Sequence, residues 1–439
     1  MHNEGVAVWG GSNWTKVARF PHPGVKLIDF SPCEKYLVTA SPQYQDNDNP
    51  NDPQCIIIWN VRTGEKLRGF QATQPIGQAT WPVFKWSFDD KYFARLTEDT
   101  ISIYETPSMG LLDKKSIKIP GVKDFSWSPT ENLLSYFVGN DDNNNNKPAS
   151  VVILEIPARK EKRIKNLFSV GDCKLYWQSL GDYLVAKIDR TSKSKKSAYT
   201  DFEIFRLREK DIPIDHFEIK EGVSNLAFEP RGTKFAVIHG EGPKFNVSFY
   251  SVEGKFQLLK TLEKKSCNTL LWSPQGGFIV LAGLGTLNGV FEFYNAIDME
   301  SIVTEEHFMA TQVEWDPTGR FFSTVVSGWK HQLENGYNIY NFQGKVLRHV
   351  LQDKFYQLLW RPRPTPLLSA DRINYIKKHI SQFAKEMKNE DKQKEEKEKA
   401  KKRAKRDAMR KDFESLLAQR KRDLEADANL RKELKIEYT

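Results

Sequence analysis

The residue types that carry most enzymatic chemistry are present in this chain but scattered. Cys33, Cys55, Cys173 and Cys267 lie far apart with no CxxC spacing, so they offer neither a zinc pair nor a disulfide framework and read as reduced, mostly buried thiols. The eight histidines form no HExxH or similar ligand pair. There is no GxxxxGK[ST] phosphate loop and no GxSxG nucleophile elbow. Gly276-Gly277 and Gly283-Leu284-Gly285 fall between strand-like runs rather than ahead of a helix, and Asp89-Asp90 sits in a turn. These patterns name no catalytic, cofactor-binding or metal-binding residue, and they favour a binding protein over an enzyme.

Two kinds of patch offer binding chemistry. Arg159, Lys160, Lys162, Arg163 and Lys165 fall in one inter-strand connection, and Arg190, Lys193, Lys195 and Lys196 in a second. Together they give one edge of the domain a phosphate-binding character, an RNA contact to be weighed against the plainer reading of solvated loops. The other patch is apolar: Phe413, Leu416, Leu417, Leu424 and Leu430 interrupt a charged segment that gives them nothing to bury against. Partner docking explains that stripe better than a coiled coil, for which the heptads are too short. Of the formal net charge of +9, about +7 lies after Ser369, which marks the tail as an interacting segment.

The elements that position these residues follow from a repeat. An apolar run ending in an aromatic, a turn, and a second apolar run recur at anchors Phe30, Trp86, Trp127, Trp177, Phe228, Trp272, Trp315 and Trp360, 41 to 56 residues apart. Leu27-Ile28-Asp29-Phe30-Ser31-Pro32 and Leu270-Leu271-Trp272-Ser273-Pro274 show the pattern. Third strands follow, such as Ile56 to Asn60 and Val290 to Tyr294, mostly alternating apolar with polar as strands half-buried between blades should. A turn such as Thr63-Gly64-Glu65 then leads to an outer strand. Spacing and composition predict an all-β, WD-like β-propeller of eight to nine blades over residues 1–366. The anchor aromatics then build the fold rather than a ligand cage.

Gly5 to Gly10 and Lys16 to Phe20 read as third and fourth strands without a first and second. The segment at Trp360 could supply the missing partners and close an eight-bladed ring; otherwise the chain is an N-terminally shortened form. Two polar insertions, 45–53 and 140–147, interrupt the blades. Pro362, Pro364 and Pro366 end the β pattern, and a long α-helix is predicted over the arm, 367–439. Ser369 is its expected N-cap, and Ile373, Ile376, Ile380, Phe383 and Met387 recur at helical spacing to pack its start against the propeller. With no run of about 18 apolar residues and no signal-like opening, the expectation is a cytoplasmic protein without membrane contact.

The runs Gly5 to Gly11, Leu27 to Thr39 and above all Leu358-Leu359-Trp360-Arg361-Pro362-Arg363-Pro364 before a basic helix resemble the b subunit of eukaryotic translation initiation factor three. The resemblance implies a scaffold in translation initiation, not an enzyme, with no cofactor and no small-molecule substrate. It implies a propeller that contacts the small ribosomal subunit, its RNA and proteins, and a tail helix that holds the i and g subunits, alongside the a subunit. Phe413, Leu416 and Leu417 would then lie where the i subunit is gripped. The family's N-terminal RNA-recognition domain has no counterpart here, nor has its acidic, Trp-containing end, so a shortened form is expected. A propeller-bearing initiation factor two A and a propeller hydrolase are the alternatives, the latter requiring His and carboxylates to converge on the central channel.

Overall fold

A computed structural model of the chain describes residues 5–11, 13–41, 55–72, 81–140, 148–191, 198–254, 256–331, 333–362 and 368–436. Most of both polar insertions, and Lys193, Lys195 and Lys196, lie outside them. The chain forms two compact units, Met1–Pro362 and Arg363–Thr439.

The first unit is a WD-like propeller of antiparallel sheets. Seven sheets of four or five strands follow one another in chain order, and an eighth is the pair Val6–Gly10 and Thr15–Phe20. Middle strands are buried on both faces, more fully than half: Tyr36–Ala40 throughout, and Ile56 to Trp59 of Ile56–Asn60. The reason is that alternate side chains face different neighbours. Leu37, Ile57 and Trp59 pack with Phe20 of the N-terminal pair, whereas Tyr36, Val38, Ile56 and Ile58 pack towards Trp86 of the next blade.

The anchors join the blades by a repeated hydrogen bond. The Trp127, Trp272 and Trp315 indoles donate from Nε1 to the carbonyls of Lys85, Ala227 and Leu271, at 2.9, 2.9 and 3.0 Å. Each acceptor immediately precedes the anchor of the preceding blade. Trp177 reaches Ser126 O through Ser135 Oγ, and Trp360 reaches Glu314 O through Ser323 Oγ, each by two bonds of 2.9–3.1 Å. Phe228 has no donor to offer, and the buried Trp86 Nε1 finds no partner among the described residues.

After each of the first seven anchors the chain reverses through the same turn. The N–H of the next residue, Ser31, Ser87, Ser128, Gln178, Glu229, Ser273 or Asp316, donates to the carbonyl five residues on, and all seven of these residues are buried. Successive turns touch: Ser31 Oγ donates to Asp90 at 2.6 Å, and Gly277 N–H to Glu229 at 2.7 Å. Gly319, at φ 70°, is needed because a Cβ there would stand 2.4 Å from Ser273 Oγ. The two ends of the unit also meet, where Arg361 donates to Gly11 O at 2.9 Å and lies over the Trp14 ring.

In the second unit, α1 (Ala370–Lys378) is capped by Ser369, whose hydroxyl accepts the Arg372 N–H. The helix breaks at His379 instead of running on. The His379 ring bonds the Tyr375 carbonyl that its own N–H shares with Ile376 O, and its backbone leaves the helical region. Then α2 (Ile380–Ile436) continues for 57 residues, about 85 Å at 1.5 Å per residue. Ile373, Ile376 and Phe383 are half-buried, but Ile380 and Met387 are exposed.

Two outcomes test this account. Trp315→Phe deletes the donor that ties this blade to the Leu271 carbonyl, so it should destabilise the unit by about 0.5–1.5 kcal/mol in chemical denaturation. Trp86→Phe, which removes an indole N–H without a partner among the described residues, should cost less, and equal losses would refute the bond's role. The second concerns His307, bonded through Nδ1 to Thr324 at 2.6 Å; burial, then nearby His349, lowers its pKa from 6.5 to about 4. Between those values the unfolded chain binds a proton that the folded chain refuses, so stability falls as pH drops through that window. The melting temperature should therefore fall from pH 7 to 5, less steeply in His307→Gln; an unchanged slope in the variant would exclude this histidine.

Candidate partner-binding surfaces

The first basic patch is not a connection. Lys160–Leu167 is a strand, the outer one of the Trp127 blade, entered through Arg159 at φ 53°. Its high charge hides a strand that is exposed along much of its length and so carries no apolar alternation. Most of these cations already have partners. Arg159 donates from Nη2 to the Leu112 and Lys115 carbonyls at 2.8 Å each, with Asp113 at 3.5 Å. Lys162 pairs with Glu155 at 3.0 Å, and Lys165 reaches Glu203 in the next blade at 3.2 Å. Lys160 and Arg163 make no ion pair among the described residues.

The second patch begins as a strand, Tyr183–Thr191, and Arg190 is held against Asp201 and the Phe168 carbonyl. What that stretch can offer a polyanion therefore rests on Lys193, Lys195 and Lys196, outside the described residues. Among the described residues Arg159, Lys162, Lys165 and Arg190 are already paired, and Lys160 and Arg163 on the outer strand are left without an ion pair.

The apolar patch on the arm is open. At 100° per residue, Met409, Phe413, Leu416, Leu417, Leu424, Leu430 and Leu434 fall within an arc of about 140° on α2. Phe413 and Leu424 are each 61% exposed and Leu417 45%. Around the stripe, Arg410–Glu414 at 3.0 Å and Lys399–Glu395 at 3.5 Å are i,i+4 pairs that support a helix without burying anything. Met409 and Leu434 continue the stripe beyond the residues that the sequence pattern picks out, although their helical spacing carries them.

Hydrolytic chemistry finds little support. Glu221, His239 and Ser248 do line up, with His239 Nδ1 2.6 Å from Glu221 Oε2 and Nε2 2.8 Å from Ser248 Oγ. Yet Ser248 is 2% exposed and shares its hydroxyl with Thr261 at 2.9 Å, so no substrate carbonyl can reach it. Among the inner strands Lys85 bonds Asp124 and the Phe125 carbonyl, each at 2.7 Å. The Glu314 carboxylate accepts the Trp360 backbone N–H while burial raises its pKa. No cluster of three His, Cys, Asp or Glu side chains suited to a metal occurs among the described residues. Burial pushes the Cys173 and Cys267 thiols up to about 12, which makes them poor nucleophiles. No helix is long and apolar enough to cross a membrane among the described residues.

Known proteins share both the fold and the sequence. Residues 165–358 match the family model described as eukaryotic translation initiation factor eIF2A. A solved structure titled a crystal structure of the eukaryotic initiation factor superposes with a TM-score of 0.71 at 23% identity, over 83% of this chain and 87% of that one, which supports the propeller fold. The B subunit of eukaryotic translation initiation factor 3 from Xenopus laevis is 52% identical over 387 residues, and that from Drosophila melanogaster 49% over 397. These alignments take in 88% and 87% of this chain but 55% of each relative, so the chain spans about half the length of the curated relatives it matches. Over that span the chain belongs to the family of the B subunit of eukaryotic translation initiation factor 3.

Proposed function

We propose that this chain is a scaffold of the cytoplasmic initiation factor three complex. It docks partner subunits on its arm and the small ribosomal subunit on its propeller, and it catalyses no reaction. The observation that carries this reading is the stripe on α2, open to solvent along a helix that no other element of its unit covers among the described residues. An apolar face of that kind is stabilised by a partner helix or sheet surface. Phe413, Leu416, Leu417 and Leu424 are the assigned anchors for the i and g subunits, and the a subunit is part of the same assembly. For the ribosome, Lys160 and Arg163 are the cations of the outer strand without an ion pair among the described residues, and Lys193, Lys195 and Lys196 are the further candidates; Arg159 and Lys162 contribute less, being already paired.

An initiation factor eIF2A-like role is the second reading, favoured by the family match over residues 165–358. That match ends before the arm. The likeness to the B subunit of factor 3 takes in 88% of this chain, far more than those residues, which is why it is preferred.

The full chain should capture purified i subunit strongly, and Phe413→Ala with Leu417→Ala should weaken capture by at least tenfold, about 1.4 kcal/mol or more. Both side chains are exposed and alanine favours helix, so the fold is spared. Capture unaffected by the double change would remove the stripe from the interface. Co-sedimentation with small ribosomal subunits should fall steeply as salt rises, and Lys160→Ala with Arg163→Ala should weaken it and flatten the salt dependence. Identical sedimentation of variant and parent would take the outer strand out of the proposal.

A further inference from the structure

The outer strand of the Trp86 blade is broken. Gly110–Leu111 and Ile117–Lys118 both pair with Thr100–Glu105, but a 3-10 turn, Leu112–Lys114, swings out between them. The other six complete sheets each end in an unbroken strand of five to nine residues. The break opens a crevice of about 740 Å³ against the Trp127 blade. Asp113 and Lys114 stand at φ 51° and 54°, left-handed positions that non-glycine residues avoid. Arg159 pins this shape from across the crevice through the Leu112 and Lys115 carbonyls and Asp113.

The crevice has a distinct chemistry. Its floor is aliphatic, built from Leu111, Ile117 and Leu154. Lys114, Lys115 and Lys118 stand on one rim, none in an ion pair among the described residues. Asp113 is taken by Arg159, which leaves Glu161 as the one carboxylate in the lining. Burial, and then Glu161, push the Tyr136 phenol up to about 12, so its hydroxyl remains a neutral donor. An RNA strand would want exposed rings to stack on, and the single ring in the lining, Tyr136, is 6% exposed. Separate point charges above an aliphatic floor suit side-chain carboxylates flanking an apolar residue.

We propose that this crevice docks a short acidic peptide segment of a partner protein, its carboxylates on Lys114, Lys115 and Lys118 and one aliphatic side chain on the floor. The proposal rests on the reading of the propeller as a docking platform and is independent of the arm.

The test is fluorescence anisotropy on the full chain, using a labelled nonapeptide of eight glutamates around a central leucine. Lys115 and Lys118 are the residues to change, because Lys114 sits at a left-handed φ. The expected result is micromolar binding, at least tenfold weaker in Lys115→Ala with Lys118→Ala and several-fold weaker when serine replaces the central leucine. An arm variant, Lys401→Ala with Lys402→Ala, should bind like the parent. The proposal fails if the crevice variant binds as well as the parent, if the arm variant loses as much, or if a decauridylate binds more tightly with the same lysine dependence. None of these results would alter capture of the i subunit, so the two readings fail separately.

Discussion

The propeller depends on one interaction repeated around it, the hydrogen bond from an anchor indole to the carbonyl that precedes the previous anchor. A blade in such a repeat cannot bury both faces by itself, so its stability comes from its neighbours. Hydrophobic contact supplies most of that energy without fixing position, because apolar surfaces slide. The indole bond fixes position: it satisfies one buried donor only when two blades stand at the right height. Where the direct bond is lengthened, at Trp177 and Trp360, a serine hydroxyl from the second strand fills the gap and hands the bond on to the equivalent carbonyl.

This constraint explains which parts of the fold are legible in the sequence. Anchors and inner strands are read easily because period-two alternation and recurring turns record a surface with two buried neighbours. Lys160–Leu167 reads as a connection because an outer strand faces solvent along much of its length, and charge replaces the alternation that would announce it. The break at His379 is illegible for a different reason. A side chain that competes for a backbone carbonyl leaves the apolar spacing of a helix intact while ending the helix. The interrupted strand at Leu112–Lys114 depends on Arg159, a partner far away in sequence, which local pattern cannot report.

Electrostatics divides the two units in a way that composition only hints at. In the propeller, charges are committed to neighbouring blades: Lys85 with Asp124, Lys165 with Glu203 and Lys265 with Glu292 all cross between sheets. Such partly buried pairs help set blade register more than they add net stability, since desolvation offsets much of the attraction. A cation count along the sequence therefore overstates what the propeller can offer a polyanion.

The arm works the other way. Its helix is supported by local propensity and i,i+4 pairs worth a few tenths of a kcal/mol each, so its shape does not depend on covering its apolar face. A segment that orders only on binding must offset the entropy of ordering at that moment, whereas one already helical gives up little. On the reading proposed above, the exposed stripe from Met409 to Leu434 is thus preorganised for its partner. The propeller hides its aromatics because they make the fold, and the arm leaves Phe413 and its neighbours open because the fold of that unit does not need them.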